Sequence, residues 1–332
     1  MASEQGPHSR ILGTGAYAPE RVLTNLELEK LVDTSDQWIT ERTGIKQRHI
    51  AREDETASDM AVVAARRALE MAGLTAADLD MIIVGTISGD LPMPACAVFV
   101  QQKLGAGPIP SFDVSAACAG FLYSMSIADQ FIRSGLHKHI LIVGVELLSR
   151  VIDWQDRTTC VLFGDGAGAA VLGPAVGDGR GVLSTKLYTD ATLAESLCIP
   201  AGGSKERITL ESLKARRDKV QMAGQDIFKI AIKNLSSASR SALVDAKMDA
   251  DSVRWVVPHQ ANLRIISQVA LRLDIPMERF VLNIDRYGNT SSASIPLALD
   301  EGFRDGRIKP GDTVLMCALG AGISWGSALV RM

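Results

Sequence analysis

Apolar residues fall in this chain in two patterns. Short runs that are apolar at nearly every position occupy residues 81–84, 140–143, 160–163, 255–257 and 313–317. Strands of that kind are buried on both faces, so helices must cover both sides of their sheet. Residues 109–114 form a further strand-like stretch. Elsewhere the apolar positions recur at helical spacing, over 24–32, 56–72, 95–104, 120–134, 223–243, 262–273 and 295–305. Strands that alternate with helices predict an α/β fold.

The pattern also repeats. Residues 72–84 and 246–257 each read as a helix end, an acidic turn and a buried strand. Residues 163–172 and 322–330 each read as a glycine turn entering a strand. Self-similarity at this scale predicts two related halves, 1–180 and 181–332, joined near residues 175–185.

Three segments carry candidate chemistry. In Phe112-Asp-Val-Ser-Ala-Ala-Cys-Ala-Gly-Phe121 a strand ends in small residues, a cysteine follows, and a helix begins. The helix start favours thiolate over thiol and offers backbone N–H donors to an oxyanion, and small neighbours leave room for an acyl group. Trp255-Val-Val-Pro-His-Gln-Ala-Asn262 is an apolar strand that breaks at Pro258 and delivers His259 and Asn262. The polar turn 285–294 delivers Asn289. A buried structural cysteine would explain Cys118 alone. A Cys with a distant His and Asn is the pattern of a thiol nucleophile whose partners meet it only in the fold. The first half holds the Cys and the second the His and Asn, so the site would lie at their seam.

Composition narrows the field. A net charge of −3 from 35 basic and 38 acidic residues gives no general signal for nucleic acid or a membrane surface. No apolar run approaches the length of a membrane span. The 5 cysteines are widely spaced, with no CxxC pair or Cys/His cluster, so neither a metal site nor a disulfide framework is expected. That odd count, behind a polar lead-in at 1–10 with no signal-peptide pattern, reads as reduced and cytoplasmic.

These segments, with Thr34-Ser-Asp-Gln-Trp-Ile39, Glu41-Arg-Thr-Gly-Ile45, Phe163-Gly-Asp-Gly-Ala-Gly168, Tyr287-Gly-Asn-Thr-Ser291 and Trp325-Gly-Ser-Ala-Leu329, closely resemble β-ketoacyl-[acyl-carrier-protein] synthase III. That family starts type II fatty acid synthesis and lies in the thiolase superfamily. The resemblance runs from about residue 10 to the last residue. It implies a five-layer αβαβα fold of two thiolase-like halves, a homodimer, and no cofactor, coenzyme A thioester being a substrate. It implies Cys118 as acylated nucleophile, His259 and Asn289 as its partners, and backbone N–H groups of Cys118 and Ala321 as oxyanion hole. Trp38, Arg42, Arg157 and Asn262 match coenzyme A contacts. Lys229, Arg264 and Arg272 match the basic surface offered to the acidic acyl carrier protein. The implied reaction is a decarboxylative Claisen condensation of an acyl-CoA primer with malonyl carrier protein.

Three departures bear on the pattern. Ala321, in Gly320-Ala-Gly322, stands where many relatives have glycine, and it can still donate if its φ is negative. Met93 stands where relatives often place Phe from the neighbouring subunit at the acyl-pocket floor, and Ile87 would reshape the same pocket. Substrate choice is therefore open, and acetyl need not be the primer. Cys96, Cys160, Cys198 and Cys317 read as packing residues. Cys317 is one step from the position of a second catalytic cysteine in degradative thiolases, and one step along a strand reverses the face. The turn 164–168 precedes a strand and so reads as structural rather than as a nucleotide loop. The rival readings are a ketosynthase of secondary metabolism, a degradative thiolase, which Asn289 and Ala318 disfavour, and a non-catalytic acyl-binding protein.

Overall fold

The computed structural model describes residues 8–332, so residues 1–7 of the polar lead-in lie outside the described residues. Two sheets organise the chain. The first contains β1 (Ser9–Tyr17), β2 (Met81–Gly85), β3 (Ser111–Val114), β4 (Ile140–Glu146) and β5 (Gly166–Pro174), in the order β1-β5-β4-β2-β3. The second contains β6 (Gly181–Thr189), β7 (Trp255–Pro258), β8 (Thr313–Gly320) and β9 (Ser324–Arg331), in the order β6-β9-β8-β7. The second repeats the first without β3. In each, one strand, β5 or β9, runs antiparallel to both its neighbours, and the remaining pairs are parallel.

Alternation along the strands explains the layers. Ile82 and Val84 of β2 pack with α1 (Ala57–Ala72) and α2 (Cys96–Leu104), while Met81 and Ile83 face α3 (Gly120–Arg133). In β8, Val314, Met316 and Ala318 face the same central layer, which also holds α6 (Ser294–Arg304). Leu315, Cys317 and Leu319 face outward onto α4 (Gly224–Asp245) and α5 (Leu263–Leu273). The result is five layers, α1/α2, sheet, α3/α6, sheet, α4/α5. Cys317 points away from the central layer, as the one-step argument expects.

Two expected elements differ. Residues 160–163 form turns with one bridge, Phe163 to Asn289, and no strand. Arg48, fully buried, donates to the Val161 carbonyl, and Asp156 accepts from Thr158 and Thr159. The run is apolar because it packs with Ile39, Ile45 and Ile284, not because it joins a sheet. The helix expected over 24–32 forms only at Asn25–Leu28. A further helix, Asp36–Thr43, starts on the Ser35 side chain and ends at Gly44 with φ +82°.

The central layer sits unusually close to its sheet. A Cβ on Gly144 of β4 would lie 2.2 Å from the Ser292 carbonyl oxygen. Only glycine lets the turn carrying Asn289 seat against β4.

Candidate active site

Cys118 lies in the single turn Ala117–Ala119 that leads into α3. Ala117 has φ +44°, a left-handed conformation that non-glycine residues adopt at a cost of about 1–3 kcal/mol and that clusters at functional sites. No side chain caps the start of α3. Two other turns converge on this one. Ser291–Ala293 packs against it with Ser291 at φ +50°, and Ala321–Ile323 ends in Ile323 at φ +47°. A cavity of about 190 Å³ opens among them, lined by Cys118, Ser291, Ala321, Ile87, Phe163 and Cys198 with other apolar residues.

His259 follows β7 and is buried. Its Nδ1 lies 2.6 Å from Ser294 Oγ, which also accepts from the Gln260 N–H at 3.3 Å. In the tautomer in which the serine hydroxyl donates to Nδ1, the ring proton is on Nε2. Burial pushes the imidazole down to about 3, so it is neutral at physiological pH and carries one ring N–H.

Asn289 is held on both sides of its backbone, by Leu162 O at 2.9 Å and by the Gly164 N–H at 3.0 Å. Its Oδ1 accepts the Ser291 N–H at 2.9 Å, which leaves the Nδ2 donors unoccupied by that contact. The three residues expected at the site are thus a buried thiol, a neutral imidazole and a buried side-chain amide.

The Cys118 thiol differs from the expectation at a helix start. Burial raises it to about 12, the Ser291 hydroxyl opposes that, and the Glu146 carboxylate adds to it. Desolvation outweighs the helix terminus, and the resting group is a thiol. Ala321 is not among the residues with positive φ, so the condition on its N–H is met.

Trp38, Arg42 and Arg157 form one cluster, with the guanidinium carbons 5.5 and 5.6 Å from the Trp38 ring centre. Asn262 caps α5 and donates to the Arg42 carbonyl at 3.0 Å. Arg264 lies over Phe228, beside Lys229. Arg272 stands apart from them at the other end of α5, in a groove with Lys186, Lys233 and Arg240. Ile87 lines the cavity, whereas Met93 is 83% exposed and contributes nothing to it within this chain.

Sequence reasoning missed four residues here. Cys198 lines the cavity rather than only packing. Ser291 and Ser294 lay within the polar turn, where only Asn289 drew notice. Glu146 is fully buried behind Cys118. A carboxylate ending an otherwise apolar strand was the available signal.

Two sheets between three helical layers, the second sheet repeating the first, form the five-layer αβαβα architecture of a thiolase-like fold. Models of 3-oxoacyl-[acyl-carrier-protein] synthase III match residues 112–191 and, for its C-terminal part, residues 243–332. The β-ketoacyl-[acyl-carrier-protein] synthase III of Xanthomonas campestris pv. campestris is 50% identical over 324 residues, 98% of each chain. The crystal structure of 3-oxoacyl-[acyl-carrier-protein] synthase III from Aquifex aeolicus matches with TM-score 0.90 and 45% identity, covering 98% of this chain and 100% of that one. The priming β-ketosynthase of the R1128 polyketide pathway matches with TM-score 0.90 and 38% identity, covering 100% and 98%. The chain belongs to the 3-oxoacyl-[acyl-carrier-protein] synthase III family.

Proposed function

We propose that the protein starts fatty acid synthesis by condensing an acyl-CoA primer with malonyl-[acyl-carrier protein] through an acyl-Cys118 intermediate. The Cys118 sulfur attacks the acyl thioester, the N–H groups of Cys118 and Ala321 hold the oxyanion, and coenzyme A leaves. Malonyl thioester then enters with its carbonyl oxygen against His259 Nε2–H and Asn289 Nδ2–H. Those donors stabilise the enolate formed as CO₂ departs, and its carbon attacks the acyl-Cys118 carbonyl. Cleavage of the C–S bond frees the thiolate and the β-ketoacyl product. The neutral imidazole carries this reading, because it suits an oxyanion donor and not a strong base.

Trp38 between two arginines suits the adenine and phosphates of coenzyme A, with Arg157 already tied to Asp33 at the rim. Lys229 and Arg264 suit the acidic carrier protein, and Arg272 extends that surface. The exposed apolar stretch of Leu91, Met93 and Val98 suits a homodimer in which Met93 floors the partner's acyl pocket. Residues 1–180 and 181–332 form the two halves, one of the two large sheets falling in each. No described helix is long and apolar enough to cross a membrane. The enzyme acts in the cytoplasm without a resident cofactor.

A priming role in secondary metabolism is the second reading, favoured by the 38% identity to a polyketide priming enzyme. Paired assays separate them. Purified enzyme is given an acyl-CoA panel with malonyl thioesters of a fatty-acid or a polyketide carrier protein. Preference for the fatty-acid carrier supports the proposal, and preference for the other overturns it.

A further inference from the structure

We propose that Glu146 is the proton acceptor for the nucleophile: the Cys118 proton passes to Ser291 Oγ as the Ser291 hydroxyl proton passes to Glu146 Oε1. The inference rests on the reading that Cys118 becomes acylated. It assigns a task that the Cys–His–Asn set leaves open, namely where the thiol proton goes.

The geometry supplies both ends of the path. The Ser291 side chain lines the same cavity as Cys118, and its hydroxyl donates to Glu146 Oε1 at 3.1 Å. Its backbone is held at φ +50°, in a turn packed against the one that carries Cys118. All three residues are buried.

The two carboxyl oxygens are not equivalent. Oε2 is a fixed acceptor, taking the Ser88 hydroxyl at 2.5 Å, the Ile87 N–H at 3.2 Å and the Thr86 hydroxyl at 3.3 Å. Oε1 faces Ser291 and, at 3.2 Å, Ser292 Oγ. The single proton of the Ser292 hydroxyl has two acceptors, the Gly85 carbonyl at 2.7 Å and the Oε1 carboxylate oxygen. When Oε1 is protonated, the Ser292 proton goes to Gly85 and a lone pair of Ser292 Oγ faces Oε1. As a carboxylate, Oε1 accepts from Ser291. As an acid, it donates to Ser292. Both protonation states have a partner, so the proton has a built seat.

The charges agree. Burial raises Glu146 to about 7, against hydrogen bonds from Ser88, Ile87, Ser291 and Ser292. Of the elements around it, the 86–88 loop presents Thr86 and Ser88, the 291–293 turn presents Ser291 and Ser292, and the 117–119 turn presents Cys118. Cys118 is the titratable group whose ionisation the Glu146 charge opposes. One negative charge thus belongs to the pair and moves from carboxylate to sulfur. His259, pushed down to about 3 by burial, is the poorer acceptor.

The proton balance closes over a turnover. In acylation, Glu146 keeps the thiol proton and the coenzyme A thiolate takes one from water. In condensation, the expelled Cys118 thiolate recovers the proton from Glu146 through Ser291. The cycle ends as Cys118 thiol and Glu146 carboxylate, with CO₂ released.

The test is the pH profile of acyl-Cys118 formation, followed by intact-protein mass after rapid mixing with an acyl-CoA. The carboxylate is the accepting form, so wild-type acylation should rise with pH through a limb near 7. Glu146→Gln keeps the shape but cannot take the proton. Ser291→Ala keeps the carboxyl and cuts the path. Each should lower acylation above the limb about 10²-fold and abolish the limb. A folded variant that keeps both rate and limb overturns the proposal, as does a wild type without the limb. If Glu146→Gln fails to fold, Ser291→Ala decides by the same criteria. No acyl-Cys118 in the wild type at any pH would instead refute the functional reading beneath it.

Discussion

Gly320→Ala isolates backbone geometry from side-chain chemistry. Gly320 ends β8 with φ −135° and ψ −174°, a conformation alanine adopts freely, so the cost is the added Cβ alone. That Cβ would stand 2.5 Å from the Cys118 nitrogen, 3.0 Å from Ala117 Cβ and 3.1 Å from the Ala116 oxygen. Restoring an ordinary contact of 3.4 Å at the nitrogen moves the nucleophile's backbone by about 0.9 Å. The adjoining Ala117 is already left-handed and has little slack. A misplacement of about 1 Å can cost about 10²-fold in rate, and overpacking costs about 1–3 kcal/mol of stability. Gly320→Ala should therefore fold with a lowered Tm and acylate Cys118 about 10²-fold more slowly. Differential scanning calorimetry and time-resolved intact-protein mass read the two effects. A folded variant that acylates within about threefold of wild type would refute the claim that β8 positions the nucleophile.

Further outcomes follow from other parts of the site. His259→Ala and Asn289→Ala should each lower CO₂ release from malonyl thioester by about 10²–10³, with acylation suffering less in the Asn289 variant; unchanged release in both contradicts their donor roles. Arg264→Glu should lower kcat/KM for malonyl carrier protein at low salt and spare acylation from acyl-CoA; an equal rate with the carrier would make Arg264 a solvated charge. Met93→Phe should shift the kcat/KM ratio toward acetyl-CoA by an amount worth about 1–3 kcal/mol, and dilution to monomer should abolish activity. A chain-length profile unmoved by that change removes Met93 from the pocket.

What the sequence disclosed follows from how burial writes itself into residues. Strands buried on both faces, such as Met81–Gly85 and Thr313–Gly320, read directly as apolar runs. The strand at 181–189 did not, because six of its nine residues are partly or fully exposed. The run 160–163 misled because packing against an isolated cluster looks the same as sheet burial. At the site, Cys118, His259 and Asn289 stood out as reactive groups at strand ends. The groups that orient them did not. Ser294 and Ser291 are ordinary polar turn residues until the fold puts one against His259 Nδ1 and the other against Glu146 Oε1, in the cavity that holds Cys118. The high pKa of Cys118 was equally hidden, since spacing discloses a helix start but not the depth of burial.

The central claim is tested most directly by a single turnover of isolated acyl-enzyme. Wild-type protein is acylated with labelled acyl-CoA, freed of coenzyme A, mapped by peptide mass, and mixed with malonyl-[acyl-carrier protein]. The account predicts one label on Cys118, none on a Cys118→Ser variant, and release of one CO₂ with one labelled β-ketoacyl carrier per label lost. Label on Cys198, which shares the cavity, or an acyl-Cys118 that malonyl carrier protein leaves intact would contradict it.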